Sequence, residues 1–136
     1  MSRTRRKPTA CRRKGGAVVE LTVCLPIIAL VVFGAIEAAG MIFLKQALVQ
    51  TAYEAAKVST ERQGTEAGAR NAAAQVTDGR KLKNVKVEFV PSDLTKVKRG
   101  EKIRVIVSAP ADENSLIKFG FYRGRTLSVE AVMQKE

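Results

Sequence analysis

The sequence contains no histidine and no tryptophan, and only two of its 136 residues are cysteines. Both of these, Cys11 and Cys24, precede residues 45–136, so that segment holds neither a thiol nor a disulfide. No pair of acids stands at a spacing typical of catalysis, and the side chains that usually bind metals or act as nucleophiles are nearly absent. We therefore expect a non-catalytic protein with no metal, no cofactor and no small-molecule substrate.

Aromatic residues are also scarce, at 5% of the chain, although the net charge is +11. Few and clustered aromatics argue against a surface that stacks nucleic-acid bases, so we expect no nucleic-acid partner. Seven of the 24 basic residues precede position 15 with no acid among them. Basic residues beside a membrane segment stay on the cytoplasmic side, and we read this cluster as a topology signal. Its members are Arg3, Arg5, Arg6, Lys7, Arg12, Arg13 and Lys14.

A long apolar run, Ala17 to Leu44, follows the basic leader and contains only two charges, Glu20 and Glu37. About 20 apolar helical residues cross a bilayer, so this run is long enough to span one. The two acids are separated by about 25 Å along a helix. We expect Glu20 near the inner interface, where an acid needs a cationic partner or water, and Glu37 at the outer interface, hydrated. Cys24 is interpreted as a small buried hydrophobe.

Several residues of this run bear on helix packing. Pro26 lies inside the helical pattern, and membrane helices tolerate a proline as a kink. Small residues that let another helix approach recur four apart, at Gly34 and Ala38 and at Ala35 and Ala39, with Gly40 beside them.

Gly15-Gly16 is expected to break any helix at that point, and a continuous helical pattern follows these glycines and persists beyond Lys45. The helix is predicted to end near Gln63-Gly64 and to pack one stripe on a sheet. A second helix is predicted over about Glu66 to Val76, closing at 77–79. The stripe consists of Leu48, Ala52, Ala55, Ala56 and Ser59.

Three later segments, around 85–89, 103–108 and 127–131, alternate apolar with polar residues. One apolar face per strand is typical of an antiparallel sheet covered on one side. The fold class is therefore α+β: a long N-terminal helix, a second helix and three antiparallel strands. The connection 110–125 carries Leu116, Ile117, Phe119, Phe121 and Tyr122. It either caps the core or forms an exposed patch for a partner.

The segment from Arg12 to Glu20 resembles the type IV prepilin processing signal. It has a basic leader, glycine, and a glutamate that becomes the fifth mature residue if the cut follows Gly15. The new N-terminus is then Gly16. The resemblance implies processing by a prepilin peptidase, and pairing of Glu20 with the N-terminal amine of a neighbouring subunit.

Over about residues 12–57 the chain resembles a narrower family, the TadE-like pseudopilins of tight-adherence (Flp-type) pilus systems. Val19-Glu20 followed by Pro26 is similar to their Val-Glu-Phe…Leu-Pro pattern, with Leu21 where these proteins usually have Phe. Residues 33–37, Phe-Gly-Ala-Ile-Glu, are similar to their Phe-Gly-Ile-Ile-Glu, and the alanine-rich helix at 46–57 matches as well.

This resemblance implies a pilin-like, single-pass protein of the bacterial inner membrane, acting through helix packing with other pilins, pseudopilins and pilus assembly proteins. We expect a cytoplasmic leader at 1–15, a transmembrane helix at 16–44 and a periplasmic or extracellular domain at 45–136. The alternative is a secreted soluble protein whose Sec signal peptide is cleaved near Gly40, after Ala38-Ala39.

Overall fold

The computed structural model describes residues 14–115, 120 and 122–136. They form an α+β fold, as predicted, with two long helices, one short helix and one three-stranded sheet. Residues 1–13 of the basic leader, with Cys11 among them, and the apolar residues Leu116, Ile117, Phe119 and Phe121 lie outside the described residues. The elements are α1 (Lys14–Thr60), α2 (Glu66–Gly79), β1 (Lys86–Val90), β2 (Lys102–Pro110), α3 (Ala111–Asn114) and β3 (Thr126–Gln134).

The first helix is one continuous element of 47 residues. The expectation that Gly15-Gly16 would break the helix is wrong, because α1 begins at Lys14 and both glycines lie in its first turn. Glycine is a poor helix former, but at a helix end few hydrogen bonds depend on it, so its cost in free energy is small. The other end lies at Thr60, three residues before the predicted position. There Gly64 turns back so closely that a Cβ would lie 2.3 Å from the carbonyl oxygen of Val58.

The sheet has the order β1-β2-β3, and both pairs of neighbours are antiparallel. In its register Val107 of β2 is paired with Val87 of β1 on one side and with Val129 of β3 on the other. A 3₁₀ turn over Leu94–Lys96 connects the first two strands. The predicted strand positions and pairing class are thereby confirmed.

The core forms where the second half of α1 packs against this sheet and α2. All five residues of the predicted stripe on α1 are completely buried. Side chains from one face of β2 meet them, and Ala69 and Ala73 of α2 close the other side. The β2 side chains are Ile103, Val105, Val107 and Ala109. Because the stripe is mostly alanine, the helix backbone can lie close to its neighbours without leaving voids.

The connection after β2 begins with α3, a single short turn. Asn114 holds it in place, donating hydrogen bonds to the carbonyl oxygens of Pro110 (2.8 Å) and Lys83 (3.0 Å). The amide nitrogen of Ala111 also donates to the carbonyl oxygen of Arg125 at 2.8 Å. These contacts hold α3 at one end of the domain, and that end lies beside the middle of α1.

Replacing Leu48 by alanine tests this packing. The leucine is fully buried, so Leu48→Ala is expected to lower the free energy of unfolding by about 2–5 kcal/mol. The measurement is urea unfolding of the full-length protein in detergent, followed by circular dichroism. The matched control is Val49→Ala on the exposed side of the same turn, which should change stability by less than about 0.5 kcal/mol. Equal losses in the two variants would contradict the described core.

Candidate functional site

The first half of α1, up to Ile36, is an apolar helix that the rest of the described chain leaves uncovered. All of its large apolar side chains are exposed, from Val18 (62%) to Ile36 (38%). A water-soluble monomer rarely exposes so extensive an apolar surface, because contact of that surface with water is unfavourable. By its length and composition α1 can cross a membrane. The exposed half therefore needs lipid or other proteins around it.

Pro26 lies in the middle of this exposed half, and α1 continues through it. Proline has no N–H, so the carbonyl oxygen of Thr22, four residues earlier, has no helical donor there. The hydroxyl of Thr22 donates to the carbonyl oxygen of Val18 at 2.8 Å. Cys24 lies on the same half and is exposed, so the prediction that the rest of the chain buries it is wrong.

The residues of the predicted processing site lie together at the start of α1. Gly15 and Gly16 are exposed, and a Cβ built on either would meet nothing within 4 Å. Glu20 lies one turn after Gly16 and is also exposed, with no ion pair to any residue in the described part of the chain. Helix residues four apart share one face, so Glu20 stands above Gly16.

The small residues predicted for helix packing fall on different sides of α1. Gly34 and Ala38 are half-buried, on the side where Met41 and Leu44 enter the core. Gly40 is half-buried as well, and a Cβ on Gly34 or Gly40 would meet nothing within 4 Å. None of these glycines is therefore required by a contact with another described part of the chain.

A second surface of α1 is exposed from Ala35 to Tyr53, and we call it the open stripe. It contains the other small pair together with the side chains that follow at helical spacing, all of them exposed. At 100° per residue its members fall within an arc of about 80°. The stripe runs from the exposed half into the packed half, on a side that the sheet and α2 leave uncovered. Its members are Ala35, Ala39, Ile42, Gln46, Val49 and Tyr53.

Glu37 is placed differently from the prediction. It was expected to be hydrated, but only 3% of its surface is exposed, and its Oε2 atom has no hydrogen-bond partner in the described structure. The reason is that the domain reaches down to this level of α1. Glu37 lines a cavity of about 470 Å³ together with Asp112 of α3, Tyr122 and Arg123.

Within the residues that the structure covers, no group of three or more His, Cys, Asp or Glu side chains is arranged to hold a metal ion. The described acids that line the Glu37 cavity, Glu37 and Asp112, share it with a cation, Arg123. The arrangement can bind charged groups.

Comparison with known proteins bears on the first helix. The family model of TadE-like proteins matches residues 15–57. Residues 15–57 are a TadE-like segment. The resemblance seen in the sequence is thereby confirmed for this part of the chain. No curated protein and no solved structure matches the chain.

The TadE-like segment begins at the predicted cleavage glycine and ends three residues before the end of α1. It thus covers both the exposed half of the helix and most of the part that packs on the sheet. TadE-like proteins are a family of pilus-assembly components. Together with an apolar helix able to span a bilayer, the match fits a membrane-associated protein of pilus assembly.

Sequence reasoning missed the extent of the open stripe. Ile42, Val49 and Tyr53 follow Ala35 and Ala39 at intervals of three, four or seven, which is the spacing of one helix face. That signal was present, but a helix with apolar residues on several sides does not reveal which side the domain covers. The burial of Glu37 had no local signal, since it depends on a connection more than 70 positions later in the chain.

Proposed function

We propose that this chain is a non-catalytic, single-pass, pseudopilin-like component of a tight-adherence (Flp-type) pilus or a related secretion apparatus. The observation that carries the proposal is the exposed apolar half of α1, which lies within the TadE-like segment. Lipid is the environment in which such a surface is stable, because acyl chains are as apolar as these side chains and a helix pairs most of its backbone groups internally.

The proposed orientation follows from charge. The basic leader stays in the cytoplasm, which places residues 45–136 on the periplasmic or outer side of a bacterial inner membrane. Prepilin peptidase removes the leader after Gly15, and Gly16 becomes the N-terminus. Glu20 is then close to the inner boundary, where the amine of a neighbouring subunit neutralises it.

The proposed mode of action is lateral packing of α1 against helices of other pilins, pseudopilins or assembly proteins. The open stripe supports this, because it offers small residues where the helix is in lipid and Ile42, Val49 and Tyr53 where it leaves the membrane. The continuity of α1 also favours this proposal over the alternative of a signal peptide cleaved near Gly40. That position lies inside an unbroken helix, with Glu37 and Met41 on either side of it buried against the domain.

Processing can be tested from the mature N-terminus. We expect the protein purified from its own cells to begin at Gly16, and Gly15→Arg to leave the chain unprocessed, because the peptidase requires the small residue before the cut. Intact mass and N-terminal sequencing are the measurements. The matched control is Gly40→Leu, which should leave the N-terminal residue unchanged and alter the mass only by the substitution itself. Loss of about 40 residues, abolished by Gly40→Leu, would instead establish the signal-peptide alternative.

The role of Glu20 can be tested by Glu20→Gln, which keeps the shape and removes the charge. We expect normal membrane insertion but at least about a tenfold loss of assembled complexes, since one charge of the pair is left without its partner. Assembly is measured by sedimentation or pull-down from solubilised membranes. Glu54→Gln, in the part of α1 beyond the span, is the control and should assemble normally. Normal assembly of Glu20→Gln would disprove the pairing.

Packing through the open stripe can be tested by cross-linking. In a Cys11→Ser, Cys24→Ser background, Val49→Cys in reconstituted membranes is expected to form disulfide-linked dimers on mild oxidation, because a disulfide requires Cβ atoms within about 4.5 Å. The control is Asn71→Cys, exposed on α2. Gel electrophoresis without reductant gives the dimer fraction. Equal cross-linking at both positions would indicate random collision and not packing by this stripe.

A further inference from the structure

The cavity beside Glu37 contains charges of both signs that are not paired with one another. Glu37 is almost completely buried, and its Oε2 atom accepts no hydrogen bond from the described residues. Arg123 lines the same cavity, yet the described residues include no ion pair between it and either acid. A buried carboxylate without a donor is costly, so a group that supplies one should bind there.

The position of the cavity limits what that group can be. The helix below it, from Gly15 to Ile36, is apolar and exposed, and its length of about 33 Å is close to the thickness of the hydrocarbon core. Glu37 is the first residue above this stretch and the first on α1 that the domain buries. In the proposed orientation the cavity therefore opens at the level of the outer lipid headgroups.

Hydrogen bonds connect described residues on and next to the rim. Asp112 accepts a hydrogen bond from the amide nitrogen of Gly124 at 2.8 Å through Oδ2, which leaves its Oδ1 atom available. The same segment is tied to α3 by the 2.8 Å hydrogen bond from Ala111 to Arg125. The volume of about 470 Å³ lies within the usual range of small-molecule sites, about 300–1,000 Å³.

From these contacts we infer that the cavity binds the headgroup of a phospholipid with a primary ammonium, such as phosphatidylethanolamine. The ammonium donates to Glu37 and Asp112, and the phosphate accepts from Arg123 and from the hydroxyl of Tyr122. A simple anion is disfavoured by the two carboxylates, and a metal ion by the guanidinium. A quaternary ammonium cannot donate a hydrogen bond, so it leaves Oε2 unpaired.

This inference rests on the proposed membrane span, and the experiment separates the two. Full-length protein is first floated with vesicles made only of phosphatidylcholine. Wild type and all variants are expected to float, since insertion depends on the apolar helix. Failure to float would overturn both the span and the headgroup site.

Headgroup binding is then measured by native mass spectrometry in detergent, with phosphatidylethanolamine, phosphatidylcholine and phosphatidylglycerol of identical acyl chains. We expect phosphatidylethanolamine to bind at least about tenfold more tightly than the other two. Glu37→Gln should abolish this preference, and Arg123→Gln should weaken phosphatidylethanolamine binding. Glu88→Gln, an exposed acid on β1 away from the cavity, should bind as wild type does.

Two results would overturn the inference while the membrane span stands. One is equal binding of the three lipids by wild type. The other is unweakened phosphatidylethanolamine binding by Arg123→Gln, a variant of an exposed residue that should fold even if Glu37→Gln does not. If wild type shows no preference but binds a lysine-containing peptide in a Glu37-dependent way, the occupant is a cation of a partner protein, and the lipid site is refuted.

Discussion

The structure depends on one constraint: a single unbroken helix must satisfy two different environments. Its first half exposes apolar side chains in every direction, which is stable in lipid, where neighbouring acyl chains replace the packing that a protein core provides. Its second half has one buried stripe and one exposed side, as expected for a helix covering a sheet. No loop separates the two halves, so the position of the domain relative to the apolar half is set by the helix itself.

The composition of α1 makes this double role possible. In the second half the buried stripe is built mainly from alanine, with Leu44 and Leu48 as the large side chains. Alanine is the best helix former and occupies little volume, so the helix stays continuous while the sheet and α2 approach closely on adjoining sides. The opposite side remains free for contacts with other chains. The domain thus stabilises the helix without using the surface that assembly is proposed to require.

Glu37 shows how the two environments meet. A charge at the outer end of an apolar helix is easily hydrated, and nothing near it in sequence suggests otherwise. The fold nevertheless places α3, Gly120, Tyr122 and Arg123 around the same cavity, which removes water from Glu37 and leaves it beside one acid, Asp112, and one cation, Arg123. The end of the apolar run is therefore also a charged cavity.

The α+β class, the three strands, the stripe on α1 and the TadE-like resemblance were all predictable without a structure, because local periodicity or motif spacing encodes each of them. The sequence has limits as a guide. It did not determine where the helix begins, since glycines at a helix end cost little. It also left open which small pair faces outward, and the predicted hydration of Glu37 was wrong. Both points depend on tertiary contacts, because burial is set by segments distant in sequence that the fold places against the helix. The direction of a helix face becomes definite only once the sheet occupies one side of it.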